Sequence, residues 1–172
     1  MDERLEIIFA RRSIRRYTGK PVTEDEITSL LEAGMAAPSA NNRQPWHFVA
    51  VTDKNVLKAL ADMHPYGKML ANAALAIAVC GDPSISDWWV QDCSAATENI
   101  LVAAAGLGLG GVWLGCHGRP EREQAIRDLL GIPSDPGSAE IGVLCLISIG
   151  HPGESRKART QYDPARVHKN QW

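Results

Sequence analysis

Four arginines in six residues, Arg11-Arg12-Ser13-Ile14-Arg15-Arg16, are the densest chemistry in the chain. On an extended or turning backbone Arg11, Ser13 and Arg15 project the same way, so two guanidiniums and a hydroxyl converge on one small anion, and a phosphate fits that fork. Taken alone, the same arginines would also serve as a solvated basic face at a helix end, where the dipole favours cations. A second unusual stretch, Pro38-Ser39-Ala40-Asn41-Asn42-Arg43-Gln44-Pro45-Trp46, lies one helix later and favours a built site. Two prolines, two asparagines and a serine make it irregular and polar, and such loops carry function more often than packing.

The rest of the chain offers little conventional catalytic equipment. His47, His64, His117, His151 and His168 show no paired spacing and no Cys-x-x-Cys occurs, so no metal site is expected. Cys80, Cys93, Cys116 and Cys145 lie far apart, the first and last inside apolar runs, and read as reduced core thiols. No carboxylate or histidine stands out as a catalytic residue. A net charge of -2 lacks the basic excess that neutralises a run of nucleic-acid phosphates, so nucleic acid is not expected as a partner. With 172 residues, 45% of them hydrophobic, one soluble domain with a real core is expected. The N-terminus lacks signal-peptide shape, and no apolar run reaches membrane-spanning length without Asp, Glu or several glycines. A cytoplasmic protein without membrane contact is the expectation.

The elements that must hold the two stretches follow from periodicity and caps. Asp2 to Phe9 reads as a helix with Leu5, Ile8 and Phe9 on one face. Thr23 opens a second, because Thr23-x-x-Glu26 is a capping box and Val22 can pack on Ile27. Ile27, Leu30 and Leu31 form its stripe and Gly34 its stop. Trp46 to Thr52 reads as a strand, Lys54 to Met63 as a helix, and Leu75 to Cys80 as a buried strand. The longest helix runs from Asp87 to Leu107, its alanines suited to close packing on several sides. Gly106, Gly108 and Gly111 match a Gly-x-Gly-x-x-Gly spacing, but they follow a helix and precede a strand, Val112 to Leu114, the reverse of a dinucleotide-binding turn. They are read instead as a helix stop and a backbone able to come close to a flat ligand. Arg119 to Leu130 reads as a helix and Ile141 to Ile149 as a strand. The last twenty residues form a polar, basic tail with Tyr162, Val167 and Trp172 as isolated anchors. Helices and strands alternate irregularly, which gives an α+β or α/β class.

With both stretches placed, the chain resembles, over essentially its whole length, the nitroreductase family of FMN-dependent NAD(P)H oxidoreductases. Arg11-Arg12-Ser13-Ile14-Arg15 is similar to the family's N-terminal Arg-x-Ser-x-Arg/Lys contact with phosphate and ring. Pro38-Ser39-Ala40-x-Asn42-x-Gln44-Pro45-Trp46 is similar to its Pro-Ser-x-x-Asn-x-Gln-Pro-Trp loop. Lys68-Met69-Leu70 resembles the segment whose lysine approaches the flavin pyrimidine, and Trp113-Leu114-Gly115 the place where backbone amides face the flavin. Lys157-Ala158-Arg159 resembles the C-terminal Lys-x-Arg at the phosphate.

The resemblance implies an α+β, three-layer α/β/α fold over 1–172, with a central mixed, largely antiparallel sheet. A C-terminal arm, 156–172, would wrap a partner subunit. It implies FMN, with NADH or NADPH as electron donor, in two sites shared across a homodimer, the loop and the arm each serving the partner's flavin. Arg11 and Arg159, with Lys157 and Arg12 beside them, would meet the phosphate. Arg15 and Lys68 would favour the reduced anion, Ser39 and Asn42 would bond ring or ribityl oxygens, and Gly115, or Cys116 after it, would offer an N–H to N5. The implied reaction is hydride transfer to the flavin and then reduction of a small acceptor such as a nitroaromatic or quinone, in ping-pong order. A dehalogenating or flavin-fragmenting branch and a flavin carrier are the alternatives. Trp88, Trp89 and Trp113 read as core aromatics before pocket walls.

Overall fold

A computed structural model describes residues 2–134 and 141–172. Strands β1 (Trp46–Val51), β2 (Leu75–Gly81), β3 (Gly110–Gly115) and β4 (Gly142–Gly150) form an antiparallel sheet in the order β1-β2-β4-β3. The two central strands, Leu-Ala-Ile-Ala-Val-Cys-Gly and Gly-Val-Leu-Cys-Leu-Ile-Ser-Ile-Gly, are apolar without alternation because both of their faces are covered. Helices α2 (Glu24–Met35) and α4 (Trp89–Gly106) pack on one face against Ile77, Val79, Ile147 and Ile149. Helices α3 (Lys54–Met63) and α5 (Pro120–Leu130) cover Ala78, Leu146 and Leu114 on the other. The result is the expected α+β fold in three layers with a core on each side of the sheet. Among the described residues the one parallel feature is a bridge from Ser13 to Gly111, where the Ile14 N–H donates to the Gly111 carbonyl at 3.0 Å. Among the described residues no helix is long and apolar enough to cross a membrane.

Several local expectations are refined. The first helix begins as a 3-10 turn, Glu3–Leu5, capped by Asp2, and continues as α1 (Glu6–Ala10), leaving Leu5 and Ile8 exposed. The capping box forms: Glu26 N–H donates to Thr23 Oγ1 and Thr23 N–H to Glu26 Oε2 at 2.7 Å. Gly34 does not end α2, which runs on to Met35. A Cβ at Gly34 would stand 2.9 Å from Ile100 Cδ1, so glycine is there to let α2 close on α4. The Gly106 to Gly111 run does stop α4 and lead into β3, with Gly108 at φ 71°. Its close backbone approach, however, is taken by the chain itself: a Cβ at Gly110 would lie 2.7 Å from Ile14 Cβ, so no ligand occupies that place. The three tryptophans also separate. Trp89 lies in the core, Trp113 is half-buried, and Trp88 is exposed.

All four cysteines are buried free thiols. Burial pushes Cys80, Cys93 and Cys116 up to about 12, Cys145 well above its ordinary value, and the Tyr17 phenol up to about 12. Each group is held neutral by folding, so its contribution is complete below its unfolded pKa and is lost as pH rises toward the folded value. The denaturant midpoint is therefore expected to fall between pH 7 and about pH 10; a flat profile over that range would contradict the buried, neutral thiols.

Candidate functional site

The arginine stretch is stitched to the sheet through its backbone, which frees its side chains. Tyr17 directs its hydroxyl at the carbonyls of Ile14 and Ser148, 3.0 Å from each. Glu154 Oε1 accepts the N–H groups of Arg15 at 2.7 Å and Arg16 at 3.2 Å, and the Gly153 N–H donates to the Arg16 carbonyl. The Arg15 N–H, aided by Arg156, holds the Glu154 carboxyl below its usual range. The C-terminal segment returns to the same place. Arg159 N–H donates to the Phe9 carbonyl at 3.1 Å, and Arg12 Nη1 donates to the Lys157 carbonyl. Arg11, Arg12 and Arg159, with the Lys157 backbone between them, are thereby gathered from the two ends of the described sequence. The Arg12 guanidinium titrates below its ordinary value, first through lost solvent and then through the charges of Arg159, Arg156 and Arg11. Arg11 Nε lies 3.0 Å from Glu98 Oε1, and Arg156 pairs with Glu154 at 2.9 Å. Among the described residues no carboxylate pairs with Arg12, Lys157 or Arg159. A cleft of about 320 Å³ opens between Phe9, Arg11, Glu98, Arg159 and Tyr162. Cations without counter-charges beside a cleft are a ready anion site.

Arg15 lines a second cleft of about 680 Å³ with Lys54 and with Ala71 and Asn72, the end of the 3-10 turn that begins at Lys68. Lys68 itself is exposed. Along β3, alternate carbonyls point off the sheet edge. Gly111 spends its carbonyl on Ile14, and Gly115 receives two donors, His64 Nε2 at 3.0 Å and Arg122 Nη1 at 2.6 Å. His64 is buried, and its Nδ1 accepts the Tyr66 N–H at 3.2 Å, so the ring proton sits on Nε2 and donates to Gly115. Desolvation lowers the His64 pKa and keeps the ring neutral, while the Gly115 bond opposes it. The Gly115 N–H lies on the same outer edge, and a Cβ at Gly115 would meet nothing within 4 Å. Cys116, the alternative amide, is excluded because its N–H donates to the Leu144 carbonyl at 3.0 Å. Leu114 points into the core, and Trp113 leans on the opposite one.

The Pro38 to Trp46 loop is tied together by its own polar side chains. Ser39 Oγ accepts the Gln44 N–H at 3.0 Å, and Gln44 Nε2 donates to Asn42 Oδ1 at 3.2 Å. Asn41, Asn42 and Gln44 all adopt positive φ, a conformation asparagine tolerates well. The Ala40 N–H donates to Asp92 Oδ1 at 2.9 Å, and the buried Asp92 also accepts the Ser86 hydroxyl at 2.8 Å, tying the loop to the start of α4. Pro38 and Asn42 are exposed while Trp46 is buried as the anchor. Yet within one chain the loop stands apart from the arginines. Trp46 pairs with Gly81 at one end of the sheet and on one edge, whereas Ser13 joins Gly111 at the other end and the other edge. With a rise of about 3.4 Å per residue and about 4.8 Å between strands, the diagonal is roughly 20 Å or more. The structure thus assembles Arg11, Arg12, Lys157 and Arg159 in one group, Arg15 near the Lys68 turn, and Pro38, Ser39, Ala40, Asn42 and Gln44 in a separate corner. Glu98, Asp92, Glu154, His64 and Arg122 have no motif of their own; contacts across dozens of residues reveal the first four, and a bond over seven residues reveals Arg122.

Fold and site together define an α+β protein with a cationic cluster beside a cleft and an edge strand that ends at the exposed Gly115. The model of the nitroreductase family matches residues 8–64 and 63–151, and the chain belongs to that family. A protein of Archaeoglobus fulgidus, provisionally named NADH dehydrogenase/NAD(P)H nitroreductase, is 46% identical over 100% of both chains. A crystal structure under the same provisional name from Bacteroides thetaiotaomicron superposes with a TM-score of 0.94 at 40% identity, covering 100% of this chain and 99% of that one. A provisionally assigned nitroreductase of Desulfovibrio desulfuricans, crystallised with FMN, has a TM-score of 0.82 at 30% identity, covering 100% and 99%.

Proposed function

We propose that residues 1–172 act as one FMN-binding unit of a cytoplasmic homodimer. It takes hydride from NADH or NADPH and reduces a small acceptor, such as a nitroaromatic or quinone, in ping-pong order. The observation that carries this reading is the cluster of Arg11, Arg12, Lys157 and Arg159, where among the described residues only Arg11 meets a carboxylate. A phosphate dianion supplies the missing charge, and the bare surface at Gly115 leaves room for a flat ring beside it. The FMN of the Desulfovibrio desulfuricans relative supports the choice of ligand.

FMN, when bound, supplies the two-electron redox chemistry. This chain's residues bind and orient it. Arg11, Arg12, Lys157 and Arg159 hold the phosphate by charge-assisted bonds, and Ser13 stands between them and the ring. Arg15 and Lys68 place positive charge where a reduced ring gathers electrons and so favour reduction. Gly115 offers its N–H from the open edge, held in place by His64 and Arg122 on its carbonyl, with Trp113 and Leu114 fixing the strand behind it. The loop from Pro38 to Gln44 serves the site of the other subunit, because its own arginines lie across the sheet diagonal. The arm supports the same reading: Tyr162 and Trp172 are exposed in the protomer, as are Leu5 and Ile8, and a partner would cover them.

The visible spectrum of the purified protein tests the proposal. Flavin bands that bleach when NADH or NADPH is added without oxygen are expected. A colourless protein that takes up no added FMN would sink it. A single substitution sharpens the test. The Cβ of Gly115→Val would meet nothing within 4 Å in the protomer, and valine suits a strand, so melting should move by no more than a few degrees. Flavin content, however, should fall sharply, and full retention of flavin would remove Gly115 from the site.

A further inference from the structure

We infer that Glu98 is a positioning residue for the phosphate clamp: from α4 it holds Nε of Arg11, turns the two Nη groups toward the cleft, and so makes the site select FMN over a flavin without phosphate. The inference rests on the FMN reading above.

Arg11 caps the C-terminus of α1, where the chain leaves the helix with φ -58° and ψ 119°. Its long side chain has no other anchor, since the only described partner of its guanidinium is Glu98, at 3.0 Å from Nε. Its neighbours oppose it. Arg12 and Arg159 are like charges in the same cluster, and the depressed Arg12 guanidinium registers Arg11 and Arg159 among its causes. Repulsion would drive an untethered Arg11 out to solvent. Glu98 counters this from an 18-residue helix whose adjacent Thr97 and nearby Ile100 and Leu101 are buried, so the carboxylate is carried on a rigid support. Arg11 and Glu98 line the same cleft as Arg159.

The carboxylate does not cancel the anion site. Arg11, Arg12 and Arg159 against one Glu98 leave two positive charges, enough to match a phosphate dianion. Nor does Glu98 exhaust the guanidinium: its closest contact is with Nε at 3.0 Å, and a guanidinium carries five N–H donors, so donors remain for a phosphate.

Competition between FMN and riboflavin reads the clamp directly, because the two differ only by the phosphate. Wild-type holoenzyme, Glu98→Ala and Glu98→Gln are brought to equilibrium with mixtures of both flavins and freed of unbound flavin, and the bound flavins are released and quantified. The bound FMN-to-riboflavin ratio is expected to fall about tenfold in Glu98→Ala and by less in Glu98→Gln, whose amide oxygen keeps a dipole beside Nε. In an Arg11→Ala background the added Glu98→Ala change should alter the ratio less than twofold, since Glu98 acts only through Arg11. An unchanged ratio with lower total occupancy would reduce Glu98 to a structural residue. A raised ratio would make it a competitor of the phosphate, and a full effect in the Arg11→Ala background would detach it from the clamp; each overturns the inference. A wild-type protein that takes up neither flavin would instead bring down the FMN reading, and this inference with it.

Discussion

A chain ending at Arg156 is expected to fold, and to emerge colourless and monomeric. Every described side chain beyond that point is exposed except the half-buried Asp163, so the arm gives the protomer's own core almost nothing. Among the described residues its tie to the body is two hydrogen bonds, from the Arg12 side chain to the Lys157 carbonyl and from the Arg159 N–H to the Phe9 carbonyl, while Glu154 and its grip on Arg15 and Arg16 survive the cut. Loss of so few exposed contacts should leave the melting temperature of the monomer nearly that of an isolated wild-type protomer. Flavin binding has more to lose. Lys157 and Arg159 provide two of the four cations in the cluster, and charge-assisted bonds are worth about 1.5–3 kcal/mol each, so affinity should fall by several orders of magnitude. Tyr162, Val167 and Trp172 go with them, and with them the apolar anchors left for a partner. Sedimentation and flavin content decide the matter together. A truncated chain that stays yellow and dimeric would show that neither phosphate nor partner depends on the arm.

The second large effect concerns stability. Trp89→Ala is expected to cost about 3–5 kcal/mol and to lower the melting temperature by roughly 10–15 °C. The indole lies across the ends of β2 and β4, which is possible only because both strands carry glycine there. A Cβ at Gly142 would stand 2.4 Å from Trp89 Cη2, and one at Gly81 would stand 2.5 Å from Cε3. His117 meets the same ring edge-on at 4.9 Å between centroids. Removing the indole leaves a void between α4 and the sheet that backbone cannot fill. The converse change, Gly142→Ala, overfills the slot and should cost about 1–3 kcal/mol. Combined with Trp89→Ala it should cost much less, because the atom it strikes is gone; full additivity of the two in denaturant titrations would refute the slot. Since Trp89 faces the core, whatever flavin the folded wild type binds should also be bound by folded Trp89→Ala.

Much of this was readable from the chain because it depends on neighbours in sequence. The capping box at Thr23 and Glu26, the stop after Gly106, and the unbroken apolar runs of β2 and β4 are local patterns whose energetics need no partner from elsewhere. The two polar stretches announced themselves in the same way, as residues too charged or too irregular for a core. Gly34 shows where local reasoning ends, for a glycine that looks like a helix stop is a contact point when Ile100 packs on it. Gly110 is alike, its close approach being claimed by Ile14 and not by a ligand.

The sequence by itself therefore determined which residues could carry phosphate and flavin chemistry and which segments would be helix or strand. Only the tertiary structure decided how those residues are grouped. It gathered Arg11 and Arg12 with Lys157 and Arg159, gave Arg11 a carboxylate from Glu98, closed His64 and Arg122 on the Gly115 carbonyl, and set the Pro38 to Trp46 loop at the far corner of the sheet. Propensities and caps act over three or four residues, and so leave their mark in the order of the letters. Charge pairing and strand register act across distances that the chain closes only by folding, and nothing in the spacing of two residues 51 or 145 apart records, by itself, that they meet.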